Sequence, residues 1–255
     1  MFERRRVWNK QVRFRHPAPF APAQRPGDRA SGAGPMSRVP KLLIFDLDAC
    51  LWSPEMFELR AAPTTYDAAA GGVRAGSEVV RLFPGALAVL RRLITDPALN
   101  SIKVAVASST TEPAWANRCL DVLMVNAAEN STVGALVDFR QICALPPWHI
   151  RACHMAELPH EPAPHDRSAH PVLVPRVCAD PGNKGRSHFP ALQKESGIAY
   201  SEMIFWDDCT YGDNCRDVAT NCAGVTCVRT PDGLTEALFQ AGLDAFAAGK
   251  TGVVR

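Results

Sequence analysis

An α/β fold built on a central parallel sheet is the class this sequence predicts, on three observations. Short apolar runs that read as buried strands recur along the 255 residues, segments with helical spacing separate them, and two of the runs end in paired carboxylates. Strands that alternate with helices form doubly wound sheets, whose ligands bind beyond the carboxyl ends of the strands. The length suits one such domain.

The first strand is Leu42-Leu43-Ile44-Phe45, and it delivers Asp46 and Asp48 to the sheet rim. Residues two apart on a strand project the same way. Two carboxylates held so close cannot both ionise cheaply unless a cation shares them or one keeps its proton. That pairing suits a carboxylate nucleophile beside a carboxylic acid, with a divalent metal in attendance. Residues 53–80, with Pro, Gly and small residues, suggest a flap or hairpin over the strand ends. Phe83-Pro84-Gly85 then opens a helix, with Leu87, Leu90, Leu93 and Ile94 at helical spacing.

Ile102–Ala107 reads as the second strand, stopping at Ser108-Ser109-Thr110-Thr111 before a helix with Pro113 in its first turn. A strand, a hydroxyl-rich loop and a helix make a phosphate-handling crossover. Ala135–Phe139 is a candidate third strand. The long 143–183 segment that follows is Pro-rich and holds His149, His154, His160, His165 and His170, so it reads as an insertion or lid. Lys184 ends it, ahead of a helix through Phe189 and Leu192. Met203–Trp206 is a further buried strand, ending in Asp207-Asp208, and Gly224–Val228 is another. The closing helix begins near Asp232-Gly233, with Leu234, Ala237, Leu238 and Ala241 as its expected buried positions.

Charge is unevenly spread. Residues 1–40 carry nine Arg/Lys against two acidic residues, while the whole chain nets only +2. A basic leader over 1–39 therefore precedes a domain over 40–248 and a tail over 249–255. The leader suggests a disordered tail, an alternative start at Met36 or an organelle transit peptide. Its arginines have no aromatic platform beyond Trp8, Phe14 and Phe20, so no nucleic-acid partner is expected. No apolar stretch approaches a membrane span. Nine cysteines without CxxC spacing read as reduced thiols of a cytoplasmic protein. The histidine spacings of the insertion do not fit a zinc site.

Taken in order, Asp46/Asp48, Ser108, Lys184 and Asp207/Asp208 resemble the four motifs of the haloacid-dehalogenase superfamily of phosphohydrolases. Trp52, the Leu82-Phe83-Pro84 turn, Pro181-Gly182-Asn183-Lys184, His188-Phe189, Phe205–Asp208 and Gly224–Cys227 resemble its magnesium-dependent phosphatase branch. The resemblance covers most of 40–248 and implies a Rossmann-like three-layer sandwich with a minimal cap, and an Mg²⁺-dependent phosphatase of phosphotyrosine-like or sugar phosphates.

By resemblance Asp46 is the nucleophile and Asp48 the proton carrier. The metal is expected on Asp46, Asp208 and the Asp48 backbone carbonyl, with Asp207 as a further metal ligand or a partner behind the metal. Ser108, Ser109, Lys184 and Trp52 are the candidates for phosphate or substrate contact. Ser108 also suits a helix N-cap, a role Thr110 or Thr111 equally fits. Trp52 also suits packing under the flap. The implied partner is a phosphorylated small molecule or a phosphoprotein.

Three departures stand out. Cys50 replaces the usual Thr or Val, Cys209 replaces an acid with a longer loop to Asn214, and Lys184 to His188 is one residue longer, which leaves Arg186 as a fallback cation. Two other readings follow from the same residues: a degenerate binding protein on this fold, and a phosphoprotein phosphatase of the carboxyl-terminal-domain type.

Overall fold

The computed structural model describes residues 38–146, 178 and 180–254. The leader to residue 37, all of 147–177 with the five histidines of the insertion, and residues 179 and 255 lie outside the described residues. Six strands form the main sheet in the order β12-β11-β10-β1-β6-β9, every pair parallel. They are β1 (Leu42–Phe45), β6 (Lys103–Thr110), β9 (Phe139–Ala144), β10 (Met203–Asp207), β11 (Thr226–Arg229) and β12 (Gly252–Val254).

Alternation along the strands divides the core between the two sheet faces. Leu43, Phe45, Val104, Val106, Ile204, Trp206 and Val228 share one cluster with residues of α1 (Pro84–Thr95), α2 (Pro113–Val122) and α6 (Glu236–Ala247). Leu42, Ile44, Ala105, Ala107, Met203, Phe205 and Cys227 share the other with residues of α4 (His188–Ser196) and α5 (Asn214–Asn221). The result is three layers, helices over both faces of a buried sheet. Phe45, Trp206 and Phe239 stack on the first face, with centroids 5.0 to 6.5 Å apart.

The flap region is a small antiparallel sheet in the order β2-β5-β4-β3, from β2 (Trp52–Ser53), β3 (Tyr66–Asp67), β4 (Gly72–Ala75) and β5 (Glu78–Leu82). A hairpin of β7 (Met124–Asn126) and β8 (Ser131–Thr132) precedes the short helix α3 (Val133–Leu136).

Four expectations are corrected. The third strand lies at Phe139–Ala144 and not Ala135–Phe139, because Thr132 caps α3 by accepting from the Ala135 N–H, and Asp138 accepts from the β6 amide of Val104 before the strand starts. Residues 249–255 are not a simple tail: Gly252–Val254 pairs parallel with β11, and the Gly252 N–H donates to the Val225 carbonyl at 2.7 Å. The closing helix starts at Glu236 and buries Phe239, Gly242, Ala245 and Phe246, leaving Ala237 and Ala241 exposed. Cys143 and Cys178 form a disulfide, with Cα atoms 5.8 Å apart, so not every cysteine is a free thiol. Sequence spacing carries no signal for that pair, because only the fold brings residue 178 back to the β9 edge. No described helix is long and apolar enough to cross a membrane.

Candidate active site

The parallel register puts the ends of β1, β6 and β10 side by side. Phe45 pairs with both Val106 and Trp206, so Asp46, Ser108 and Asp207 follow within two residues on three neighbouring strands. Asp46, Asp48, Ser108, Lys184, Asp207 and Asp208 are all buried or nearly so. Carboxylate oxygens of Asp46, Asp207 and Asp208 lie within 4.8 Å of one another.

The segment 181–187 carries Lys184 over this trio. Its Nζ is 2.8 Å from Asp46 Oδ1 and 2.6 Å from Asp207 Oδ2. Burial opposes its charge, yet the Asp207 and Asp46 carboxylates hold its pKa above the ordinary lysine value. One ammonium does not balance three carboxylates. Burial drives the Asp46 pKa well above its usual range, against the pull of Lys184 and with the repulsion of Asp207 and Asp208 adding to it. Hard oxygen donors converging with excess negative charge fit a divalent cation such as Mg²⁺.

The two adjacent aspartates differ in what occupies them. Asp207 Oδ1 accepts from the Cys209 N–H at 2.8 Å and from Asn214 Nδ2 at 3.0 Å, while Oδ2 takes Lys184 and Asn214. Asp208 is held through Oδ2 by the Thr210 N–H at 2.8 Å. Asn214 is a donor that orients Asp207.

Asp48 stands outside the trio. Trp52 Nε1–H donates to its Oδ1 at 2.6 Å and the Met56 N–H to its Oδ2 at 3.2 Å. Burial raises it to about 6, against those two hydrogen bonds. The expectation that Trp52 contacts substrate is corrected: its side chain is fully buried and serves Asp48. The Asp48 donors include a backbone N–H that no residue identity announces.

Ser109 is corrected as well. Its hydroxyl donates to the Pro181 carbonyl and lies 3.3 Å from His188 Nε2, so it fastens the Lys184 segment instead of facing the trio. Cys50 packs behind the site against Trp206 and Thr230, with its thiol pKa pushed up by burial. Arg186 is exposed and lines a surface cleft with Asp213, Arg216 and Asp217, apart from the cation position Lys184 fills. The rim carries Glu55, raised to about 8 by burial and the neighbouring acids Asp48 and Asp208, and it accepts from the Tyr211 hydroxyl at 3.3 Å.

A parallel α/β sheet whose strand ends gather Asp46, Asp48, Ser108 and Asp207/Asp208 beneath Lys184 is the arrangement that the resemblance to haloacid-dehalogenase phosphatases implies. The chain belongs to the acid phosphatase family: the profile described as Acid Phosphatase matches residues 38–170 and 172–249. It is 29% identical over 221 residues to a human protein named magnesium-dependent phosphatase 1, covering 86% of this chain and 94% of that one. Two solved structures are similar to it at 15% identity. One is the N-terminal part of a Bacteroides fragilis protein containing a phosphatase domain complexed with Mg, with a TM-score of 0.40 over 76% of this chain and 37% of that one. The other is a HAD-like phosphatase of Mesorhizobium loti, with a TM-score of 0.42 over 84% of this chain and 87% of that one.

Proposed function

We propose that this chain is a Mg²⁺-dependent hydrolase of phosphomonoesters that works through an aspartyl-phosphate on Asp46. The observation that carries the reading is the buried trio Asp46, Asp207 and Asp208 with Lys184 bonded into it. Asp46 Oδ1 is held by Lys184, which leaves Oδ2 to attack phosphorus as the bond to the leaving oxygen breaks. Asp48 gives that oxygen its proton. The resulting Asp48 carboxylate then takes a proton from the water that cleaves the aspartyl-phosphate, which restores Asp46 and releases phosphate. A carboxyl group poised at about 6 suits both proton steps near neutral pH.

Mg²⁺, when bound, supplies positive charge to the transferring phosphoryl group. Asp46, Asp208 and the backbone carbonyl of Asp48 would hold it, with Asp207 supporting from behind. Ser108 and Lys184 are the phosphate contacts in this scheme. The substrate class is a phosphotyrosine-like aryl phosphate or a sugar phosphate, with phosphopeptide turnover the mark of the carboxyl-terminal-domain type. A cytoplasmic location fits the six described cysteines that are free, against one bonded pair. For the degenerate binding protein, only the replacement of an expected acid by Cys209 speaks, and against it Asp46, Asp48, Asp208 and Lys184 are all present.

The test is hydrolysis of para-nitrophenyl phosphate with excess Mg²⁺, with chelator, and in Asp46→Asn. Activity should vanish with chelator and fall about 10⁴-fold or more in the variant. Turnover surviving Asp46→Asn, or a parent inactive under excess Mg²⁺, sinks the mechanism.

A further inference from the structure

His188 is a fully buried titratable side chain for which the reaction scheme has no task. It stands at the first position of α4, four residues beyond Lys184, and its ring reaches across to the end of β6. Nε2 is 2.8 Å from the Ser108 carbonyl oxygen and 3.3 Å from Ser109 Oγ, while Nδ1 is 2.8 Å from Ser187 Oγ. A carbonyl oxygen only accepts, so Nε2 carries the proton, and the neutral ring receives the Ser187 hydroxyl at Nδ1. That hydroxyl has a single hydrogen, which it divides between Nδ1 and the Asn183 carbonyl, also 2.8 Å away, in the residue before Lys184. The Phe189 N–H returns to the Lys184 carbonyl at 3.0 Å, so the ring and the lysine share one tight turn.

The charged groups facing the ring are Lys184 and Asp207. With burial, Lys184 keeps the imidazole neutral, lowered to about 4. The ring is therefore a fixed polar joint between two segments 80 residues apart in sequence.

We propose that His188 is a positioning residue, which sets the distance between the Ser108 end of β6 and the Lys184 turn so that both reach one phosphoryl group. The inference rests on the phosphatase reading above, in which those two side chains contact phosphate. Groups that stabilise one transition state must be held together closely, and a misplacement of about 1 Å costs about 100-fold. Ser109, bonded to Pro181, is a second strap between the same two segments.

The experiment compares His188→Gln, His188→Leu and Ser108→Ala in the full-length chain with excess Mg²⁺. Glutamine places an amide N–H near the Nε2 position and does not titrate. His188→Leu should lower kcat about 10 to 100-fold, the range for partners that orient active-site groups, while His188→Gln recovers most of it. Combined with Ser108→Ala, His188→Leu should cost much less than it does alone, because the group it positions is gone. Urea unfolding confirms that each variant is folded, and calorimetry of inorganic phosphate binding gives a readout independent of turnover. Weaker phosphate binding in His188→Leu, restored in His188→Gln, supports the joint even should Asp46→Asn overturn the covalent mechanism. Losses that multiply in full with Ser108→Ala, a glutamine variant as impaired as leucine, or unchanged kcat and phosphate affinity in folded His188→Leu would each overturn it.

Discussion

Both oxygens of the Asp207 carboxylate face protein donors: the Cys209 N–H, the Asn214 amide and the Lys184 ammonium. Asp208, the next residue, has among the described residues a single hydrogen bond, from the Thr210 N–H to one oxygen. Adjacent acids of the same type therefore answer differently to the same substitution. Asp207→Asn removes the charge that pairs with a buried lysine and should destabilise the fold by about 3–5 kcal/mol, the cost of leaving a buried charge short of its partner. Asp208→Asn should leave urea unfolding within about 1 kcal/mol of the parent and raise the Mg²⁺ concentration for half-maximal activity at least about tenfold. A reversed pattern would move the principal metal role to Asp207. The sequence pointed to the pair but could not rank its members, because the ranking lies in backbone N–H groups of Cys209 and Thr210 and in Asn214 seven residues on. Trp52, for which packing under the flap stood beside substrate contact, and Ser109 show a related limit: a residue type says what a side chain can bond, and only the fold says what faces it.

β10 and α6 show packing at the scale of elements. Gly242 sits in the middle of α6, where glycine costs a helix about 1 kcal/mol relative to alanine. A Cβ there would fall 2.6 Å from Cζ2 of Trp206, a fully buried ring that packs against both Phe45 and Phe239. Gly242→Ala should therefore destabilise the protein by about 1–3 kcal/mol despite the better helix former. A midpoint equal to or above the parent in urea would show that the Trp206 stack is looser than this packing. The same elements show what could be read from sequence. β1 and β10 were plain because four apolar residues in each run straight into acids. The segment 131–144 misled because Ala135-Leu136-Val137 is as apolar as a strand, yet the Thr132 cap turns its first half into helix. β12 is three residues after a Gly-rich turn, too short to show any period, and only its pairing with β11 reveals it.

Across the molecule, stability and pH are joined through the buried acids. Asp46 is pushed well up, Asp48 to about 6 and Glu55 to about 8, each first by burial. Acids with raised folded pKa values bind more protons folded than unfolded, so their contribution is complete below the ordinary carboxylate range and is lost as pH rises through the raised values. His188 runs the other way: lowered to about 4, it contributes above its ordinary value near 6.5 and loses that contribution as pH falls through the window to about 4. Without metal, the midpoint of urea unfolding should therefore drop on both sides, on the acid side through His188 and on the alkaline side through the crowded carboxylates. A divalent cation binds only the ionised cluster, and its binding stabilises the folded state by mass action. The increment that Mg²⁺ adds to the midpoint should then be small near pH 5 and grow towards pH 8, and Asp208→Asn should abolish most of it. His188→Gln should flatten the acid limb alone. A Mg²⁺ increment as large at pH 5 as at pH 8 would mean that proton and metal do not compete for the Asp46 trio, which the 4.8 Å convergence of its three carboxylates requires.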